Sequence, residues 1–88
     1  MDARSIIGWN IRRLRVEKDL SQERLALGAK IDRAYAGRIE RGSENVTISV
    51  LEAVAGVLEV PIHELLIPPA EGASTPAGLR AGRKPRSA

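Results

Sequence analysis

The sequence predicts an all-α fold: a compact domain of five short helices followed by a flexible C-terminal tail. Three observations point to it. Apolar residues recur at helical spacing through the first two thirds of the chain, with no strand-like segment among them. Residues suited to capping helix N-termini stand just before several of these stretches. The composition changes abruptly at Pro68, which marks the domain boundary between residues 1–67 and 68–88.

The elements follow in order. Ile7, Ile11 and Leu14 repeat at helical spacing with Arg12, Arg13, Arg15 and Lys18 mostly on other faces, so residues 4–18 form an amphipathic first helix. Ser21 caps a short second helix that buries Leu25 and Ala26 and runs out near Ala29. Asp32 caps a third helix ending at Gly42, and Thr47 caps a fourth carrying Leu51, Val54, Ala55 and Leu58. Pro61 opens a fifth, "PIHELLI". Phenylalanine is absent, so the core must be aliphatic. The tail "PPAEGASTPAGLRAGRKPRSA" has one large apolar residue and cannot recover its ordering entropy by burial.

Composition removes several function classes. A chain of 88 residues leaves much apolar surface uncovered, which favours a homo-oligomer. With no cysteine and one histidine there is no thiolate metal site, no zinc cluster and little basis for a nucleophilic triad, and a reducing cytoplasm fits best. The N-terminus lacks the build of a signal peptide, and "VLEAVAGVLEVPI" is too short and too acidic for a membrane span. No cofactor or metal is implied. The net charge of +3 is unevenly divided: residues 1–43 carry ten basic and six acidic groups, residues 44–67 four acidic and no basic ones, and residues 68–88 four basic and one acidic. The first part suits a phosphate surface and the middle does not.

Two short helices joined by "AKI", the second rich in arginine and poor in bulk, form the helix-turn-helix pattern whose second helix enters a DNA major groove. At helical spacing Arg33, Ala34, Gly37, Arg38 and Arg41 fall within one outward arc of roughly 140°. A helix in a groove about 12 Å wide must approach closely, and small residues between arginines let the guanidinium groups reach base edges.

Through "IRRLR", "LSQERLA" and "RIERG" the sequence resembles the lambda-repressor-like helix-turn-helix regulators over about residues 5–66. Within them, "DRAYAGRIERGSENVTISVLE" is most similar to the controller proteins of restriction-modification systems, small dimeric transcriptional regulators. The resemblance implies that Gln22, at the start of helix 2, binds phosphate, with a solvated polar residue in the first turn the alternative. It makes Arg33 and Arg38 base-reading positions, with phosphate contact the alternative for each. Ala34 either touches a thymine methyl or provides clearance. Tyr35 either lies against DNA or packs as a half-buried ring. Arg41 and Asn45 are phosphate contacts or solvated surface.

The same resemblance pairs Arg15 with Glu40, linking helix 1 to helix 3. Three departures stand against it. Lys30 occupies the turn position where these regulators usually have glycine, and a left-handed backbone there strains a lysine by about 1 kcal/mol unless Gly28 lets the turn shift. Glu44 stands where controller relatives tend to carry arginine, which loses a contact or repels phosphate. Gly37 costs about 0.5–1 kcal/mol inside a helix relative to alanine. Trp9 falls near the exposed side of helix 1, under the chain terminus or at an interface, and His63 reads as an ordinary surface residue.

Ile62, Leu65, Leu66 and Ile67 offer more apolar surface than one short helix can bury, which suggests a dimer face. The function expected is therefore a homodimeric, sequence-specific regulator of transcription that binds double-stranded DNA through helix 3, with no enzymatic chemistry, membrane association or small-molecule effector. An antitoxin whose tail wraps a toxin is a second reading, with Leu79 the tail's one anchor. A protein-bridging module is a third, and the outward arginines weigh against it.

Overall fold

The computed structural model describes residues 1–70, so the expected tail lies almost wholly outside the described residues. Those residues form four α-helices, α1 (Ala3–Glu17), α2 (Gln22–Ala29), α3 (Arg33–Glu40) and α4 (Ile48–Leu58), closed by a 3-10 helix (Ile62–Leu66). There is no strand among them.

Local chemistry sets each start. Asp2 caps α1 by accepting from the Ser5 N–H at 2.9 Å, one residue ahead of the expected start. That bond, then one involving the Ser5 side chain, holds the Asp2 carboxyl below its ordinary 3.8. Ser21, Asp32 and Thr47 cap α2, α3 and α4 as their positions imply.

The helix ends share one device. After α3, Gly42 (φ +77°) lets its N–H reach Ile39 O and the Ser43 N–H reach Arg38 O, the double bond pattern of a Schellman end. Asp19, Lys30 and Glu59 adopt the same left-handed backbone at φ +62°, +60° and +60° without being glycine. Lys30 thus keeps the turn at the expected position, while Gly28 remains helical within α2.

The fifth element is a 3-10 helix rather than an α-helix. It spans five residues behind Pro61, too few for a stable run of i to i+4 bonds, and α1 captures its terminal carbonyls. Asn10, 1% exposed, donates through Nδ2 to Leu65 O at 3.1 Å and Ile67 O at 2.8 Å.

The core is aliphatic. Ile7, Ile11 and Leu14 of α1 meet Leu25 and Ala29 of α2, Ile39 of α3, Leu51, Val54, Ala55 and Leu58 of α4, and Leu65. Each fully buried large side chain contributes about 1.5–3 kcal/mol. Burial of α1, α2 and α4 around Ile39 leaves the opposite side of α3 facing outward.

Candidate nucleic-acid interface

Asp32 fixes where α3 begins: its Oδ2 accepts from the Ala34 N–H at 2.9 Å and the Tyr35 N–H at 3.3 Å. Gly8 brings α1 against α3. A Cβ at Gly8 would lie 2.5 Å from Ile39 O and 2.6 Å from Glu40 O, so the two backbones touch where no side chain fits.

Glu40 then ties three helices together. Arg15 of α1 donates from Nε to its Oε2 at 2.6 Å and from Nη2 to its Oε1 at 2.9 Å, with side chains only 4% and 1% exposed. The third arm, Nη1, reaches Leu20 O at 2.8 Å. Gln22, at the first turn of α2, donates from Nε2 to Glu40 Oε1 at 3.1 Å. The carboxylate is satisfied internally, and the Gln22 amide is aimed by it.

Above this framework an open recess of about 340 Å³ is lined by Gln22, Arg33, Ala34, Gly37, Arg38 and Arg41. The lining holds three guanidinium groups and no carboxylate, which gives an anion-attracting concavity along the outer side of α3. Gly37 lies beneath the Gln22 and Arg41 side chains. A Cβ there would sit 3.5 Å from Arg41 Nη1 and 3.6 Å from Gln22 Oε1, ordinary contact distances, so the protein's own packing does not require glycine.

Five of the seven residues expected at DNA, Gln22, Arg33, Ala34, Arg38 and Arg41, line this recess. Arg33, Ala34, Arg38 and Arg41 are exposed. Tyr35 is half-buried against the core with the Arg38 guanidinium 5.7 Å from its ring centre, so its ring both packs and reaches the surface. Asn45 is exposed on the loop before α4 and does not line the recess.

Sequence reasoning missed three features. Asn10 and Gly8 gave no signal because their partners lie far along the chain. Glu44, considered in the sequence only for its effect on DNA contacts, also accepts from Arg38 Nε at 2.5 Å. A six-residue separation across a helix end belongs to no helical pairing pattern, so nothing in the spacing marked it.

The expected dimer face needs one correction. Leu65 is 0% exposed and belongs to the core of its own domain, because the Asn10 bonds draw the 3-10 helix onto α1. Ile62 is half-buried against the same core, and Leu66 and Ile67 remain exposed. Trp9 is half-buried under the Arg13 guanidinium, 5.6 Å from its ring centre, beside a second recess that also touches Met1, Ser5, Arg12 and Arg41. His63 is exposed, 3.9 Å from Glu64. Among the described residues no acidic or histidine cluster could hold a metal ion, and no helix is long and apolar enough to cross a membrane.

Comparison with known proteins agrees with the fold. Residues 11–65 match the family model described as helix-turn-helix. A hypothetical transcription factor of Neisseria meningitidis is 40% identical over 70 residues, 80% of this chain and 66% of that protein. The crystal structure of the Neisseria factor superposes with a TM-score of 0.76, covering 80% of each chain. Control protein C.SmaI of Serratia marcescens is 39% identical over 75% of this chain and 79% of its own length. The restriction-modification controller protein C.AhdI of Aeromonas hydrophila is 39% identical with a TM-score of 0.69, covering 70% of this chain and 94% of that one. None of these relatives is named as an enzyme.

Proposed function

The chain belongs to the helix-turn-helix family of transcriptional regulators, and from that premise we propose that it is a homodimeric, sequence-specific DNA-binding regulator that reads a symmetric operator through α3. The observation that carries the proposal is the recess on α3, with Arg33, Arg38 and Arg41 around Gly37, which has no side chain to fill it. Small residues in the middle let the helix sit deep in a major groove. The arginines at its edges are long enough to meet guanine O6 and N7 or the flanking phosphates.

Each residue of this face has its own task. Gln22 and the N-terminus of α2 receive a backbone phosphate, the amide held ready by Glu40. Arg33 and Arg38 read bases, Ala34 gives clearance or meets a thymine methyl, Tyr35 braces Arg38, and Arg41 with Asn45 contacts phosphate. Two copies joined through Leu66 and Ile67, 47% and 46% exposed, would present two recognition helices to successive major grooves about 34 Å apart.

Selection of bound duplexes from a random DNA pool tests this reading. The full chain is expected to enrich a twofold-symmetric motif whose half-site centres lie about one helical turn apart. An unenriched pool would overturn it.

A further inference from the structure

Glu44 is an anomaly on the proposed DNA face, because a carboxylate at the rim of a cationic recess repels phosphate. Its contribution to stability does not account for it. The Arg38 and Glu44 side chains are 45% and 26% exposed, and an ion pair that open adds little to folding.

The geometry around the pair is more constrained than a chance surface contact. The Gly42 turn folds the chain back so that the Ser43 N–H and hydroxyl both donate to Arg38 O, each at 3.1 Å. The loop carrying Glu44 is therefore pinned to the backbone of the residue whose side chain Glu44 holds. Glu44 Oε2 takes only Nε of Arg38, at 2.5 Å, and the Tyr35 ring lies 5.7 Å from the guanidinium carbon. Among the described residues, Nη1 and Nη2 of Arg38 make no hydrogen bond. That terminal edge has the spacing of two parallel donors that guanine O6 and N7 accept.

Building on the proposed reading of DNA by α3, we infer that Glu44 is a specificity-determining residue. It fixes Arg38 in one orientation with the Nη1 and Nη2 edge free for a base, and it cancels the charge that Arg38 would otherwise lend to any phosphate. The arrangement exchanges non-specific affinity for discrimination. A freely rotating arginine lowers the free energy of every duplex, whereas a held one favours only those that place a guanine at its edge.

The test compares the full chain with its Glu44→Gln and Glu44→Asp variants on the selected duplex and on a random duplex, over a series of salt concentrations. Glu44→Gln is expected to bind random DNA severalfold more tightly with a salt slope steeper by about one, and to lose about tenfold in the ratio of selected to random affinity. Glu44→Asp keeps the charge but withdraws it from Nε, and is expected to lose discrimination as well. In an Arg38→Ala background, Glu44→Gln should leave the ratio unchanged. Equal gains on both duplexes for Glu44→Gln, with Glu44→Asp behaving as the parent, would make Glu44 a general repelling charge and overturn the inference alone. If the parent chain itself does not discriminate, the reading of α3 fails first, and that is visible before any variant is compared.

Discussion

Arg15 and Glu40 form a two-pronged buried ion pair between α1 and α3, with donor distances of 2.6 and 2.9 Å. Because Gln22 bonds the same carboxylate, the pair sets both the angle of α3 and the aim of a neighbouring polar side chain. Arg15→Ala leaves Glu40 buried without its partner, which costs about 3–5 kcal/mol. In a domain this small the melting temperature should fall by more than about 10 °C. An unchanged melting curve would show that the pair carries no stability.

That pair, 25 residues apart, was legible only through the resemblance, whereas the caps at Ser21, Asp32 and Thr47 were legible directly, because a cap rests on residue type at a short, fixed spacing. The outward arc of α3 followed from periodicity alone. What was not legible depends on the chain returning to itself. Asn10 has no meaning until the 3-10 helix arrives 55 residues later. Gly8 looks like a weak point in a helix until the α3 carbonyls come within 2.6 Å of its missing side chain. Leu65 reads as surplus apolar surface because composition does not reveal which side of a short helix is drawn inward.

Lys30 holds a left-handed backbone at φ +60° at the end of α2. A side chain there costs about 1–2 kcal/mol, and glycine returns part of that in unfolded-state entropy. Lys30→Gly should therefore raise stability by about 0.5–1 kcal/mol in denaturant titration, with an unchanged slope. A loss of stability would mean that the lysine side chain makes a compensating interaction.

Gly8 and Gly37 make opposite predictions. Gly8→Ala forces a methyl group to 2.5 Å from Ile39 O, so α1 and α3 must separate, and a loss of about 1–3 kcal/mol is expected. Gly37→Ala meets nothing closer than 3.5 Å and should gain about 0.5–1 kcal/mol of helix stability. The methyl group would nevertheless stand on the floor of the recess, so operator affinity should fall while the melting temperature rises. A Gly37→Ala variant with both properties improved would remove the argument that DNA approaches there.

Leu65 and its neighbours separate folding from assembly. Leu65→Ala opens a cavity in a fully buried site and should cost about 2–5 kcal/mol. Leu66→Glu and Ile67→Glu alter side chains that are 47% and 46% exposed, so the monomer should melt as before, while the proposed dimer should be lost in sedimentation. A dimer that survives both substitutions would place its interface elsewhere.

Arg33 and Arg41 stand at opposite ends of the recess, one in the first turn of α3 and one just past its last. If Arg33 reads a base, Arg33→Ala should cost about 1–3 kcal/mol on the selected duplex and relax the preference at one position, while binding to random DNA changes little. If Arg41 meets phosphate, Arg41→Ala should weaken both duplexes by the same factor and reduce the salt slope by about 0.9, the signature of one counterion release lost. The two variants must be compared over a salt series, because a single concentration cannot separate a lost base contact from a lost phosphate. The reverse pattern would exchange the two roles and place the C-terminal end of α3 closer to the bases than its first turn.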